Sequence, residues 1–528
     1  MSTSSERKRG RSARRGSRRD GAGSRGDAGG AWTAAWGPPK GGADTPFTNR
    51  LPPYDILSQD QLESVHVASV KILCEIGICV RGDPHALELW KTAGAEVRDD
   101  IVRIPQDLIE RLLALAPEEF TQHARNPARN VTFGKDKIVF SPIFASPFVR
   151  DLNNERRQAT LSDLHDLLRL THMSACLNHG GAQICEPMDV PGPKRHLEMV
   201  RGHLTYSEKP FMGDARAEWR ARDSFEMCEI VFGKDFARRN VVLLGLVTAS
   251  SPRLWDEDML RTLRYYAEMG QSLLITPFIM QGANTPVTIA GALAQANAEA
   301  MFGMAYAQLV RPGTPVIYGC SLATVSMKSG APLYGTSEIA RLTLAMGQLA
   351  RRYKVPYRIG GVRNGSMESD ASTGAQNAMT MMPALLAQAN FILHSVGWLE
   401  NSMSVSFAQF IMDLDQLALL QELVKGIAID DETLALEAIA TARPAGDYFA
   451  NPHTIKHYRS TFIEPMMPTW GTFDAYQAAG SPSLVSSALD WARRALDAYE
   501  QPQLDAAVKE ELDAFVERRM AELPDIET

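Results

Sequence analysis

The sequence predicts an α/β protein built on a (β/α)8 TIM barrel, with an N-terminal α+β cap and a helical C-terminal extension. Eight short apolar segments, most of them punctuated by glycine, recur between residues 137 and 397. Helical stretches separate them, and near-continuous apolar strands alternating with helices specify a parallel sheet covered by helices. Eight such units are the count that closes a barrel. No GxGxxG run opens the first unit, which disfavours the competing arrangement, a doubly wound open sheet.

Residues 1–45 are rich in Gly, Ser and Arg, and cannot bury enough apolar surface to offset the entropy of ordering. A disordered basic tail is expected there. Residues 46–135 read as the cap. Ser58 and Gln61 make a capping-box pair ahead of LESVHVASVKIL, and Gly77 ends that helix. DIVRIPQDLIERLLALAP adds a short strand and a second helix.

Residues 136–415 read as the barrel. Its strands are expected at KIVFSPIF (137–144), LNHGGAQIC (177–185), PFMGD (210–214), VVLLGLVT (241–248), SLLITPFIM (272–280), PVIYGCS (315–321), PYRIGGV (356–362) and FILHSVG (391–397). WDEDMLRTLRYYAEMG and PVTIAGALAQANAEAMFGMAYAQLV are examples of the helices between them. Residues 416–528 read as helical, ending in the charged amphipathic AAVKEELDAFVERRMAEL, which suits packing on the barrel or an oligomer contact. A homo-oligomer is expected.

Composition narrows the partners. The 528 residues carry a net charge of −7, which argues against nucleic-acid binding as the main role. No apolar run approaches the ~18 residues of a membrane span. The basic start lacks the apolar core of a secretion signal, so a cytoplasmic protein is expected. The six cysteines form no CxxC pair and sit mostly in apolar surroundings, as reduced thiols do.

Chemistry in a barrel sits in the loops after the strands. His394 and Trp398 in ILHSVGWLENSM fall at the end of strand eight, and Gln281 and Ser321 at the ends of strands five and six. Aromatic residues gather near strand ends: Phe144, Phe148, Phe278, Tyr318, Tyr334 and Trp398. Several facing one mouth would form an apolar cage whose electron-rich ring faces attract a quaternary ammonium. The loop GGVRNGS (360–366), with Arg363, could instead cradle a phosphate. His453 and His457 in HTIKH stand one helical turn apart, a zinc spacing, but no glutamate of HExxH and no third ligand is evident, so no metal is expected. The pairs His172/His179 and His196/His203 have helical spacing without further support.

Other blocks are more specific. GANTPVTIAGALAQANAEAMFGMAYAQLVRPGTPVIYG (282–319) resembles the central signature of the trimethylamine methyltransferase family, the corrinoid-dependent methylamine methyltransferases. RNPARNVTFG (125–134), FVRDLNNERRQATLSD (148–163), SPRLWDEDML (251–260), SFAQFIMDLD (406–415) and HTIKHYR (453–459) resemble further blocks, in order. The resemblance implies a TIM barrel and transfer of a methyl group from a methylated amine to the cobalt of a corrinoid (cobalamin). A separate corrinoid protein would supply that cofactor, and this chain would hold none tightly.

Two departures bear on the substrate. Met367 lies at or near the position where trimethylamine enzymes carry pyrrolysine. Members without pyrrolysine read roughly D-A-Q-A-G-x-E further along; Asp370, Ala371 and Gly374 match, whereas Ser372 and Gln376 stand where Gln and Glu are expected. The Asp-Arg that follows the HTxxHxR block in the family is also absent, with PMMPTWG in its place. A tertiary amine needs activation before it can leave. A quaternary ammonium already carries its charge and leaves neutral. The resemblance therefore implies a quaternary donor of the glycine betaine type, bound by His394 and Trp398, with Phe278, Gln281, Tyr318, Ser321 and Tyr334 as further pocket candidates. No chain residue need act as nucleophile. Two readings compete: a TIM-barrel lyase acting on a phosphorylated substrate, and a catalytically inactive homologue that only binds a small molecule.

Overall fold

The computed structural model describes residues 47–526, apart from 464, 466 and 468–470. The expected tail at 1–45 lies outside the described residues. The architecture is mixed α/β around one curled sheet of eight strands. In chain order these are β1 (Phe47–Thr48), β2 (Lys137–Phe140), β3 (Met212–Gly213), β4 (Leu244–Val247), β5 (Ser272–Ile275), β6 (Val316–Gly319), β7 (Tyr357–Gly360) and β8 (Phe391–Leu393). Their spatial order is β1-β2-β8-β7-β6-β5-β4-β3. β2 to β8 run parallel, and β1 pairs antiparallel with β2.

The helices expected between the strands are present. We label α1 (Glu257–Glu268), α2 (Ile289–Val310), α3 (Ser337–Tyr353), α4 (Ala371–Leu386) and α5 (Phe407–Val424). They follow β4 to β8 in turn. α2 is apolar almost all round because it is buried almost all round, as its alanine-rich sequence allows.

One expected strand is not regular. The sheet's ladder is open between β2 and β3, where LNHGGAQIC was to supply a strand. Residues 178–185 lie in that gap and bond to both sides: His179 N donates to Phe140 O, Ala145 N to Gln183 O, and Met212 N to Gly181 O. Side chains replace the missing ladder bonds. Asn178 Oδ1 accepts from Phe140 N at 2.7 Å, and His179 Nδ1 from Gly181 N at 2.9 Å. His203 Nε2 bonds Ala182 O at 2.7 Å. Two consecutive glycines and these polar side chains defeat a strand's backbone pattern while keeping the chain in place. The sheet is thus curled rather than ladder-closed, a correction to eight regular strands.

Two other expectations shift. SLLITPFIM and PVIYGCS are each split. Pro277, which has no N–H, interrupts the first, and Phe278–Gln281 then pairs in parallel with Ser321–Val325 above the main sheet. The N-terminal elements form a small sheet that borrows Leu254–Asp256 from the loop after β4. Ser58 caps Gln59–Lys71 as expected, and that helix continues as a π-turn to Gly77, at φ 89°. A Cβ there would meet Ile101 Cγ2 at 2.6 Å, so only glycine fits. At the other end Leu484–Asp497 packs on α5, and Ala506–Glu522 on Glu218–Phe232. No helix of the described residues is long and apolar enough to cross a membrane. The six cysteines are unpaired.

Candidate active site

The ends of β6, β7 and β8 converge on one buried cluster. β8 delivers His394 in a left-handed turn, φ 63°, a conformation that costs energy for a non-glycine residue and concentrates at functional sites. The segment that follows repeats it at Glu400, Asn401 and Ser402. Trp398 lies edge-on to His394 at 4.8 Å between ring centroids, and Tyr334 edge-on to Trp398 at 5.3 Å.

Two arginines complete the cluster. Arg358, on β7, is buried; its Nη1 donates to Thr276 Oγ1 and to Cys320 O, both at 3.0 Å. Its Nη2 lies 3.3 Å from His394 Nε2. Since a guanidinium only donates, Nε2 accepts, and the ring proton of the neutral imidazole stands on Nδ1. Burial, then the charges of Arg358 and Arg363, hold the His394 pKa well below its usual value, so the imidazole is neutral. Nδ1 is buried and has no partner among the described residues.

Arg363 lies over the faces of Tyr334 (4.3 Å to the centroid) and Trp398 (5.3 Å), and its Nη2 donates to Ser321 Oγ at 3.3 Å. Neither arginine has a carboxylate partner among the described residues. Burial, then Arg363's charge, lowers Arg358 to about 9, and burial lowers Arg363 as well. The Nε atoms of both are buried without a partner among the described residues. Two adjacent guanidinium groups, one neutral histidine with an unused N–H, and two ring faces are the groups that would hold a ligand anionic at one end.

A polar network fixes the wall. Trp398 Nε1 donates to Asn364 O and Trp398 O accepts from Asn364 Nδ2, both at 2.8 Å. Asn364 Nδ2 also reaches Asn377 Oδ1 at 2.9 Å, Asn377 Nδ2 donates to Asp413 Oδ1 at 3.0 Å, and Gly397 N donates to Asp413 Oδ2 at 2.8 Å. Burial raises the Asp413 carboxyl to about 7.

Of the sequence candidates, His394, Trp398, Tyr334 and Ser321 come together. Phe278 stands opposite Ser321 in register, at the exposed rim. Gln281 lies further along that strand and donates to Val287 O at 2.6 Å. Tyr318 faces the helix layer instead: its hydroxyl donates to Asn297 of α2 at 2.9 Å. Phe148 carries Arg156 on its ring at 3.8 Å, so it does not join the cluster. The phosphate reading of GGVRNGS meets a physical obstacle. The N–H groups of Gly361, Val362, Arg363, Gly365 and Ser366 are all spent on acceptors of the chain itself. Gln376, at the position of the expected glutamate, makes the Gly365 bond. Sequence reasoning missed Arg358; a lone charge within the apolar PYRIGGV was the available signal. It also found no third partner for His453 and His457, whereas the fold brings Glu432 to both.

The family model for trimethylamine methyltransferase matches residues 27–524. The glycine betaine methyltransferase of Desulfitobacterium hafniense (strain Y51) is 37% identical over 474 residues, covering 90% of this chain and 98% of that one. A trimethylamine methyltransferase of Methanosarcina mazei is 26% identical over 480 residues, covering 88% and 95%. The proline betaine:corrinoid methyltransferase of Eubacterium limosum is 28% identical over 419 residues, covering 76% and 84%. Among solved structures, the Methanosarcina barkeri monomethylamine methyltransferase aligns with a TM-score of 0.44 at 11% identity, covering 86% of this chain and 97% of that one.

Proposed function

The chain belongs to the trimethylamine methyltransferase family, and on that premise we propose that it moves a methyl group from a carboxylate-bearing quaternary amine, of the glycine betaine type, to a corrinoid carried by a separate protein. One observation carries the substrate class: Arg358 and Arg363 are buried side by side without a carboxylate partner among the described residues. Unpaired buried charge is costly, and an arriving carboxylate offsets it. Trimethylamine brings no anion.

The chain's part is binding and orientation. The substrate carboxylate takes the two guanidinium groups, with the His394 Nδ1–H as a third donor. The methylammonium takes the Tyr334 and Trp398 faces, where Arg363 now lies; a betaine draws that guanidinium off the rings and onto its own carboxylate. The rings and the surrounding apolar walls exclude water from the methyl group. The corrinoid supplies the nucleophile that accepts the methyl group. The site's own chemistry fits an acceptor from outside: the nearby thiol, Cys320, is buried, is raised far above its usual pKa by that burial, and donates to Pro277 O at 3.1 Å. The curled sheet, with residues 178–185 bonded to both of its open edges, supports reading the scaffold as a barrel with one irregular stave. We also infer self-association of the chain.

The test is methylation of free cob(I)alamin by a panel of glycine betaine, proline betaine, choline and trimethylamine. A betaine should be the donor and trimethylamine should be inert. Activity on trimethylamine alone would overturn the reading.

A further inference from the structure

We propose that Glu432, His453 and His457 bind one divalent cation of the zinc class, at a site that shares no residue with the arginine cluster. His453 and His457 lie one turn apart on the helix Pro452–Thr461, with ring centroids 4.5 Å apart. Asn451 caps that helix by accepting from His453 N, which sets where the first ring stands. Glu432 comes from the short helix Asp431–Leu434. His457 Nε2 is 2.7 Å from Glu432 Oε1, and His453 Nε2 is 3.1 Å from Glu432 O. His457 thus presents Nε2 to the Glu432 carboxylate, and His453 presents Nε2 to the main-chain carbonyl of the same residue. The three ligand atoms lie within 4.8 Å of one another. A tetrahedral ion with bonds of about 2.0–2.1 Å spaces its ligands about 3.3 Å apart, so the ligand atoms close in by up to about 1.5 Å when it binds. Two imidazoles and a carboxylate suit zinc, nickel or cobalt rather than magnesium or calcium.

A second, independent observation gives such an ion a task. No residue from 425 to 462 is buried. This segment folds three short helices with no core of its own, and units too small for a core commonly rely on a metal. The cluster joins the first of these helices to the last. Lys456 Nζ competes for Glu432 Oε1, at 2.7 Å, and must turn into solvent when an ion enters. The fourth position is left to water or to an outside ligand.

Full-length protein stripped with EDTA and dialysed is titrated with Zn2+ and with Co2+. One equivalent should bind, and cobalt should give visible d–d bands. Glu432→Gln, a change at an exposed residue, should weaken binding by more than the ~10–100-fold that loss of an outer-shell partner costs; the double variant H453A/H457A should abolish it, and Lys456→Met should tighten it. Zinc should slow proteolysis between residues 425 and 462 in the wild type and not in the double variant. Equal metal uptake by the wild type and both ligand variants, or no stoichiometric uptake by the wild type, would refute the site. None of these readouts depends on methyl transfer.

Discussion

At the scale of single residues, Arg363 decides which end of a ligand the site reads. It is in contact with both rings and with Ser321. Arg363→Lys keeps the charge but loses the planar fork that grips a carboxylate. A hydrogen bond to a charged group is worth roughly 1.5–3 kcal/mol, about 10–150-fold in kcat/KM. That loss should fall on glycine betaine and spare choline, which has no carboxylate. A betaine-to-choline ratio unchanged by the substitution would remove Arg363 from carboxylate recognition. His394 and Trp398 were legible in the sequence because an apolar run stopped there. Arg358 and Tyr318 were not. β6 and β7 are buried on both faces, so no alternation of polar and apolar residues marks which side chains point inward. Tyr318 and Arg358 could each have been assigned to either face. Only the tertiary structure sends the tyrosine to α2 and the arginine to His394.

At the scale of elements, the β8 turn is held by α4 and α5 through one carboxyl group. Asp413, on α5, accepts from Gly397 N, Asn377 Nδ2 and Gln409 Nε2. Burial outweighs these three donors and raises its pKa from 3.8 to about 7. The folded protein therefore holds a proton that the unfolded chain releases near pH 4. Stability from this group is fully present below about pH 4 and is lost as pH rises through about 7. The ceiling on the effect is about 4 kcal/mol, from a shift of roughly three units. Thermal unfolding of the wild type followed from pH 4.5 to 8 should fall with pH through this group, and Asp413→Asn should flatten the slope even where it lowers the midpoint. A slope that survives the substitution would assign it to other groups. This link was not legible in the sequence, where helices were expected between the strands without α4 or α5 being placed, and Asp413 stood only as part of the family-like block SFAQFIMDLD. The same limit applied to LNHGGAQIC. Its apolar ends mark a strand, while the bonds made by Asn178 and His179 side chains, which depend on β2 and on neighbouring loops, keep it irregular.

At the scale of the whole molecule, the segment after α5 is the part that one chain leaves unfinished. Ile427 is 87% exposed and Phe449 88%, and Ile429, Leu436, Ile439, Phe462 and Phe473 are exposed beside them in sequence. Seven large apolar side chains exposed within one stretch of chain are surface that an interface ordinarily covers. A visiting corrinoid protein would be a poor cover for it, since a partner that leaves after each methyl transfer re-exposes the surface each time. A second copy of the chain would cover it permanently, and permanent interfaces are the more apolar ones. Sedimentation velocity at micromolar concentration should therefore give a species larger than the single chain. Ile429→Asp combined with Phe449→Asp should shift it toward the monomer, with the far-ultraviolet dichroism of the sheet and its helices retained because neither residue is buried. A wild-type monomer at those concentrations would show that this surface faces water, and its apolar side chains would then require a different partner.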